Sequence, residues 1–385
     1  MPTLNANLLK PLAKCNQPLV SKGALTITGE NENALPLDLL LVIDMSGSMH
    51  GEGESIVKDS TIFILDKLMR PDDKLAIITF SSSAEIHTDW VNQGGSVVPF
   101  KAGGGTNFGA AINKTLEFLG SYNKDSSRSG IVLFLSDGHG GKASDENVRT
   151  ITEFGFTMHT LGVTSGADPS KLDHMAELAR GFFFNAPTFD EVKKAIGQIT
   201  KYGQSVIYAA PDLKIKVEEG VILSDLVQTP QGLEIAKGPL KSGFHDVSLS
   251  HIAMGTRGEL TFKVNVNNIE CNDNLLVTFD CIGASSELRV QGSTDGTLIL
   301  NSSVNTEVTL MTKTGQASRL IKTGDIAGAT RIITQLKTLE KTHPNAASVT
   351  KTLTDSSSLN SQADRLASLG KLQTDKTGKT VVRED

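Results

Sequence analysis

Asp44, Ser46 and Ser48 alternate in the segment Asp44-Met45-Ser46-Gly47-Ser48, placing one carboxylate and two hydroxyls at every second position. In a loop, alternate residues can converge on one point, as they cannot on a helix. Oxygen donors without nitrogen or sulfur suit a hard cation: Mg2+, Mn2+ or Ca2+. Alone the triplet is weak, because such spacing occurs in ordinary turns. Two further segments strengthen it. Gly105-Thr106-Asn107 presents a hydroxyl, and Ser136-Asp137-Gly138 presents a carboxylate directly after an apolar run.

Those three segments need a scaffold that brings them together. Residues from about 35 to 204 alternate strand and helix patterns. Asp38–Ile43 and Ser129–Leu135 read as short buried strands, Lys74–Phe80 and Thr157–Val163 as two more, and Ala84–Asp89 and Phe182–Phe184 as shorter ones. Helical spacing covers Ser55–Met69, Phe108–Leu119, Glu146–Phe154, Lys171–Arg180 and Phe189–Tyr202. Alternation of this kind predicts a doubly wound, mostly parallel sheet with helices on both faces. Ligands of such sheets bind beyond the carboxyl ends of the strands. The loops after Ile43, Val98 and Leu135 therefore share one edge, and five oxygen donors from three loops meet there.

This arrangement resembles the von Willebrand factor A (vWA) domain with an intact metal-ion-dependent adhesion site. The resemblance covers about Pro36 to Tyr202 and rests on Asp44-Met45-Ser46-Gly47-Ser48-Met49, the Thr106 loop and the Asp137 loop, in that order. It implies that Ser46, Ser48 and Thr106 ligate a cation through their hydroxyls, and that Asp44 and Asp137 ligate directly or through water. It further implies a protein ligand whose Asp or Glu carboxylate completes the coordination. Two carboxylates do not over-neutralise a divalent cation, so a third can still be attracted. The layout also resembles intracellular A-domain proteins of bacteria, plants and protists that carry a β-rich segment and a helical tail. A RING finger, present in some plant members, is excluded here by three scattered cysteines.

Other candidates are weaker. His50, Asn107 and His139 flank the motif segments and form the expected ligand-binding rim. No nucleophile accompanies His139, no G-x-S-x-G or H-E-x-x-H motif is present, and neither glycine run continues into Lys-[Ser/Thr], which disfavours a P-loop. The expected function is a non-catalytic, metal-dependent binding module. The alternatives are a metal-assisted hydrolase, which lacks a clear general base, and a structural protein whose cation only rigidifies loops.

Composition is consistent with this reading. The 385 residues carry 43 acidic and 37 basic side chains, a net charge of -6, which points away from nucleic acid and anionic membrane. With one Trp, three Tyr and 15 Phe, aromatics are sparse, which points away from a base-stacking surface. Apolar runs are about five residues long, against about 20 for a bilayer-spanning helix. No signal-peptide pattern occurs at the N-terminus, so a cytoplasmic protein is expected. Cys15, Cys271 and Cys281 cannot all pair within one chain; free thiols are expected, with a Cys271–Cys281 bridge left open.

Beyond residue 204 the pattern changes. Leu213–Val217, Leu260–Val266, Leu275–Cys281, Leu288–Gln291 and Leu298–Leu300 are short and turn-bounded, predicting an antiparallel β-sandwich over residues 205–303. Ala24–Gly29, within the N-terminal segment 1–35, has the same character and is expected to join that sandwich. The A domain at 36–204 is then an insertion. A helical hairpin is expected over 304–370, with Ile332, Leu336 and Leu339 on its apolar face and a weaker helix at Leu359–Leu369. Residues 371–385 are expected to fray.

Overall fold

The computed structural model describes residues 2–29, 33–95, 101–122, 125, 127–137, 139–163, 168–186, 188–229, 231–236, 238–359, 364–365, 368–369, 372–374 and 380–382. The chain opens with three strands, β1 (Thr3–Leu8), β2 (Leu12–Lys14) and β3 (Leu19–Thr28). It then enters an α/β unit: β4 (Leu37–Asp44), α1 (Glu52–Phe63), β5 (Lys74–Phe80), β6 (Ala84–Val91), α2 (Phe108–Ser121), β7 (Ser129–Ser136), α3 (Asp145–Thr150), β8 (Phe156–Gly162), α4 (Pro169–Leu178), β9 (Arg180–Asn185) and α5 (Phe189–Gly203). The sheet runs in the order β6-β5-β4-β7-β8-β9. Only its edge pair β5–β6 is antiparallel.

Strand β4 explains why the sheet needs cover on both faces. Leu37, Leu39, Leu41 and Ile43 point to one side and pack with Ile56 and Val57 of α1 and with Val192, Ile196 and Ile199 of α5. Leu40 and Val42 point to the other and pack with Phe108, Ile112 and Leu119 of α2 and Leu172 of α4. The apolar run Leu39–Ile43, buried on both faces, is what a central parallel strand requires. Four of the unit's five helices start on side-chain caps: Asn107 for α2, Ser144 for α3, Asp168 for α4 and Thr188 in a capping box with Glu191 for α5.

After α5 the chain builds β10 (Val206–Tyr208), β11 (Asp212–Val217), β12 (Val221–Thr229), β13 (Leu233–Glu234), β14 (Gly243–Ser248), β15 (Ile252–Ala253), β16 (Arg257–Val266), β17 (Asp273–Cys281) and β18 (Ala284–Ser293). Two five-stranded sheets result, ordered β1-β3-β16-β12-β13 and β14-β11-β17-β18-β2. They share one core, in which Leu25, Leu260 and Phe262 of the first meet Ile215, Phe279 and Val290 of the second. All pairings are antiparallel except β18 with β2. Ala24 to Thr28 lie in β3, which pairs along its whole length with β16, from Leu19 opposite Val266 to Thr28 opposite Arg257.

The chain enters and leaves the α/β unit side by side. Leu35 N–H donates to Val206 O at 2.8 Å. Arg70 donates to Leu35 O (2.8 Å) and Gln204 O (3.2 Å), and the buried Asp73 accepts from Arg70, from Leu37 N–H (2.7 Å) and from Gln204 Nε2 (2.7 Å). Burial pushes the Asp73 carboxyl up. The hydrogen bonds from Arg70, Leu37 and Gln204 outweigh that and hold it below its ordinary value. A depressed carboxyl contributes stability above the unfolded value near 4 and loses it as pH falls through the folded value. Asp73→Asn should therefore destabilise by about 2–3 kcal/mol at pH 7 and much less at pH 3. Urea denaturation at both pH values checks this; an equal deficit at both would show that the charge is not what matters.

The C-terminal helices are α6 (Gly296–Asn301), α7 (Thr306–Lys322), α8 (Ile326–Lys337) and α9 (Ala346–Ser358). Leu298–Leu300, expected as a strand, lies in α6. Asp295 accepts from the N–H groups of Thr297 and Leu298 and caps a helical turn, leaving Leu298 and Leu300 exposed. The turn between α7 and α8 passes through Gly324 at φ 82°, a left-handed conformation that glycine adopts freely, and Asp325 then caps α8. The buried seam of α8 is Ala329, Ile333 and Leu336; Ile332 and Leu339 are half-buried on its shoulder. Tail helix α7 is tied to α4 by Lys322 Nζ, 2.6 Å from Glu177 Oε1 and 3.9 Å from Asp173 Oδ1. Leu359–Leu369 falls largely outside the described residues. Leu372–Thr374 and Thr380–Val382 pair antiparallel, so these residues are ordered strands where fraying was expected.

The cysteine expectation is corrected. Cys15 and Cys271 form a disulfide, with Cα atoms 4.9 Å apart, and Cys281 is the buried free thiol. Cys271 lies just before β17 and Cys281 at its far end, so a rise of about 3.3 Å per residue separates them well beyond bonding reach. Cys15 reaches Cys271 because β2 lies beside β18, the partner of β17. Among the described residues no helix is long and apolar enough to cross a membrane.

Candidate metal centre

Asp44 is the last residue of β4 and is fully buried. Its Oδ1 accepts from Ser46 N–H at 2.9 Å and its Oδ2 from Ser136 Oγ at 2.6 Å. Ser136 ends β7, the neighbouring strand, so adjacent strand ends fix both oxygens of one carboxylate. Ser46 is buried and its Oγ lies 3.0 Å from Ser48 Oγ, which is exposed. Two alternate hydroxyls thus converge, because Gly47–Met49 is a tight 3-10 turn following extended backbone at Ser46.

Asp137 follows β7 and is 3% exposed. Its Oδ1 accepts from His139 N–H at 3.1 Å, a local turn that aims the carboxylate. Burial pushes the Asp44 carboxyl above the ordinary carboxylate range. The nearby Asp137 charge adds to that rise, while hydrogen bonds from Ser136 and Ser46 oppose it. Asp44 and Asp137 therefore feel each other across the strand ends. Among the described residues no Lys or Arg pairs with either.

Thr106 reaches this edge through backbone contacts of its loop. Gly103 N–H donates to Met45 O at 2.7 Å, and Gly47 N–H donates to Gly104 O at 3.0 Å. Gly104 holds φ 89°, and a Cβ there would press on the Ser81 and Ser82 hydroxyls at 3.3 Å. Ser82 Oγ in turn accepts from Gly105 N–H at 2.9 Å. The serines after β5 are thus the brace of the Thr106 loop. Three consecutive hydroxyl residues at the carboxyl end of a parallel strand were the available signal. Thr106 itself is half-buried, and residues 96–100 of the preceding loop lie outside the described set.

The rim residues differ in their engagements. His50 is 77% exposed at its side chain and lies 3.7 Å from Glu54. His139 is 62% exposed, with Nδ1 3.4 Å from Asp137 Oδ1. Asn107 is exposed, but its amide is occupied: Oδ1 accepts from Ala110 N–H at 3.0 Å, and Nδ2 donates to Ser82 O at 3.4 Å. Its observed work is to cap α2 and brace the loop.

The donor set is suited to a hard cation. Two buried carboxylates without a Lys or Arg partner among the described residues are costly as they stand, and the remaining donors are hydroxyls. Among the described residues no group of three or more His, Cys, Asp or Glu is placed to hold a metal ion, so a softer nitrogen or sulfur site has no support.

Residues 38–198 match the family model of the von Willebrand factor type A domain, and the chain carries a vWA domain over that span. An uncharacterized protein of Synechocystis sp. is 29% identical over 162 residues, covering 40% of this chain and 38% of its own length. The chain thus spans less than two fifths of that curated relative. Two solved structures share the fold across nearly the whole chain. The ArnB paralog VWA2 from Sulfolobus acidocaldarius is 17% identical with TM-score 0.69, covering 96% of this chain and 97% of that one. The von Willebrand factor type A structure from Catenulispora acidiphila is 14% identical with TM-score 0.71, covering 99% and 92%.

Proposed function

We propose that the protein is a non-catalytic, divalent-metal-dependent protein-binding module. Asp44, Ser46, Ser48, Thr106 and Asp137 would hold one Mg2+, Mn2+ or Ca2+, and an Asp or Glu carboxylate of a protein partner would complete its coordination. The observation that carries this reading is the pair of buried carboxylates, Asp44 and Asp137, beside converging hydroxyls and without a Lys or Arg partner among the described residues. Membership of a fold that often mediates protein–protein contacts supports it. The Cys15–Cys271 bond favours an oxidising compartment over the reducing cytosol.

The test is affinity capture of partners by the immobilised protein in Mg2+, then in chelator. Partners should elute on chelation, and a synthetic peptide of the bound segment should lose binding when its Asp or Glu becomes Asn or Gln. Partners that stay bound in chelator would show that the cation does not carry recognition. The structural reading would then replace this one.

A further inference from the structure

We propose that the cleft between the vWA domain and β13 is an oxyanion-binding site, in which Arg149 and Arg180 together hold a phosphate or carboxylate group. It lies at α3, α4 and the start of β9, away from the carboxylates at the ends of β4 and β7, and does not depend on the metal reading.

The cleft has a volume of about 630 Å³ and is lined by Arg149, His174, Glu177, Arg180, Glu234 and Ile235, among others. A space of this size accommodates a small organic ligand. Arg180 occupies left-handed backbone at φ 60°, an uncommon conformation for a side-chain-bearing residue. The cause is visible next to it. Gly181 passes so close to β8 that a Cβ would meet Met158 O at 1.9 Å, and Ser250 Oγ donates to Arg180 O at 2.8 Å. The backbone is thus pinned in a pose that holds the guanidinium across to β13. There it donates to Glu234 O at 2.9 Å and Ile235 O at 3.0 Å.

Two backbone carbonyls do not satisfy a guanidinium, which has five N–H donors. Arg180 Nε is buried with no hydrogen-bond partner, and so is Arg149 Nε. Among the described residues neither arginine forms an ion pair. The cleft's acids are engaged elsewhere: Glu177 lies 2.6 Å from Lys322 Nζ, and Glu234 is 3.7 Å from Arg319. Asp145 is within electrostatic reach of Arg149, but its carboxylate contacts His174 at 3.2 Å and Lys142 at 3.8 Å. Burial, followed by the like charge of Arg149, pulls the Arg180 guanidinium down to about 10. Two like charges facing a cleft, each with an orphaned buried donor, are stabilised by an anion that accepts from both. Planar guanidinium forks match carboxylate and phosphate oxygens.

Thermal unfolding in metal-free buffer tests this with inorganic phosphate and with succinate, each against sodium chloride at equal ionic strength. At least one anion should raise the wild-type Tm by about 2 °C at millimolar concentrations, increasing with concentration. Arg149→Gln should abolish that rise, while Lys201→Gln, which removes an exposed charge from the last turn of α5, should keep it. Phosphate alone active would identify a phosphate-bearing ligand, and succinate alone a carboxylate. No rise with either anion, or an equal loss in Lys201→Gln, would overturn the proposal and leave Arg180 as a brace for β13. Arg180→Lys, which keeps a charge at the brace, should retain the fold and weaken the rise; a full rise would equally overturn the assignment.

Discussion

Asp44→Ala should abolish uptake of Mg2+ and Mn2+ in calorimetric titration while leaving a folded protein. The substitution removes the one carboxylate whose oxygens are fixed by both adjacent strand ends, Ser46 N–H and Ser136 Oγ. Folding should survive because the alanine also removes a buried, poorly compensated charge. Loss of the carboxylate removes an acceptor of the Ser136 hydroxyl and of Ser46 N–H, at a cost of about 1–3 kcal/mol, against relief of the Asp44–Asp137 repulsion. Wild-type affinity should fall as pH drops, because the cation competes with a proton for Asp44. Burial and Asp137 raise that carboxyl, so the loss should begin at a pH above the ordinary carboxylate range. Thr106→Ala should weaken partner binding more than folding, since its loop is held by backbone bonds at Gly103 and Gly104. Equal metal uptake by wild type and Asp44→Ala would show the site to be wrongly assigned.

Leu336→Asp should cost more than about 4 kcal/mol, the sum of a lost core leucine and a buried unpaired charge. Leu336 is fully buried among Leu310, Ile321, Ile333, Val349 and Leu353. The half-buried Ile332→Asp should cost markedly less, because its side chain can turn to water. Urea denaturation of both variants, with limited proteolysis of the tail, separates the two cases. Equal midpoints for Leu336→Asp and wild type would place that face in solvent.

The contrast between these two isoleucine and leucine positions shows where the sequence stopped being readable. Ile332, Leu336 and Leu339 satisfy helical spacing, but so do Ala329, Ile333 and Leu336. Which stripe is buried depends on α7 and α9, which no local pattern encodes. In the α/β unit the opposite holds. The run Leu39–Ile43 is apolar at every position, so burial on both faces, and the loop at its carboxyl end, follow from the strand itself. Asp44, Ser46, Ser48 and Asp137 were therefore legible as a group. The brace from Ser81 and Ser82 was not, because it acts through the Thr106 loop's backbone. Leu298–Leu300 was misread for a local reason: three apolar residues suit either strand or helix, and the Asp295 cap decides. The Cys15–Cys271 bond depends on the order of β2, β18 and β17 within a sheet, which spacing along the chain does not reveal.

The paired entry and exit of the vWA domain has a mechanical consequence. A ligand held at the carboxyl end of β4 pulls along a strand whose other end begins at the Leu35–Gln204 junction, clamped by Arg70 and Asp73. Tension applied there is divided between two chain segments. On the entry side it passes toward β3, which is held to β16 along ten residues. Behind β3 the Cys15–Cys271 bond anchors the chain covalently to the start of β17. The vWA domain is thus tethered at two adjoining chain segments, one of them backed by a covalent stop.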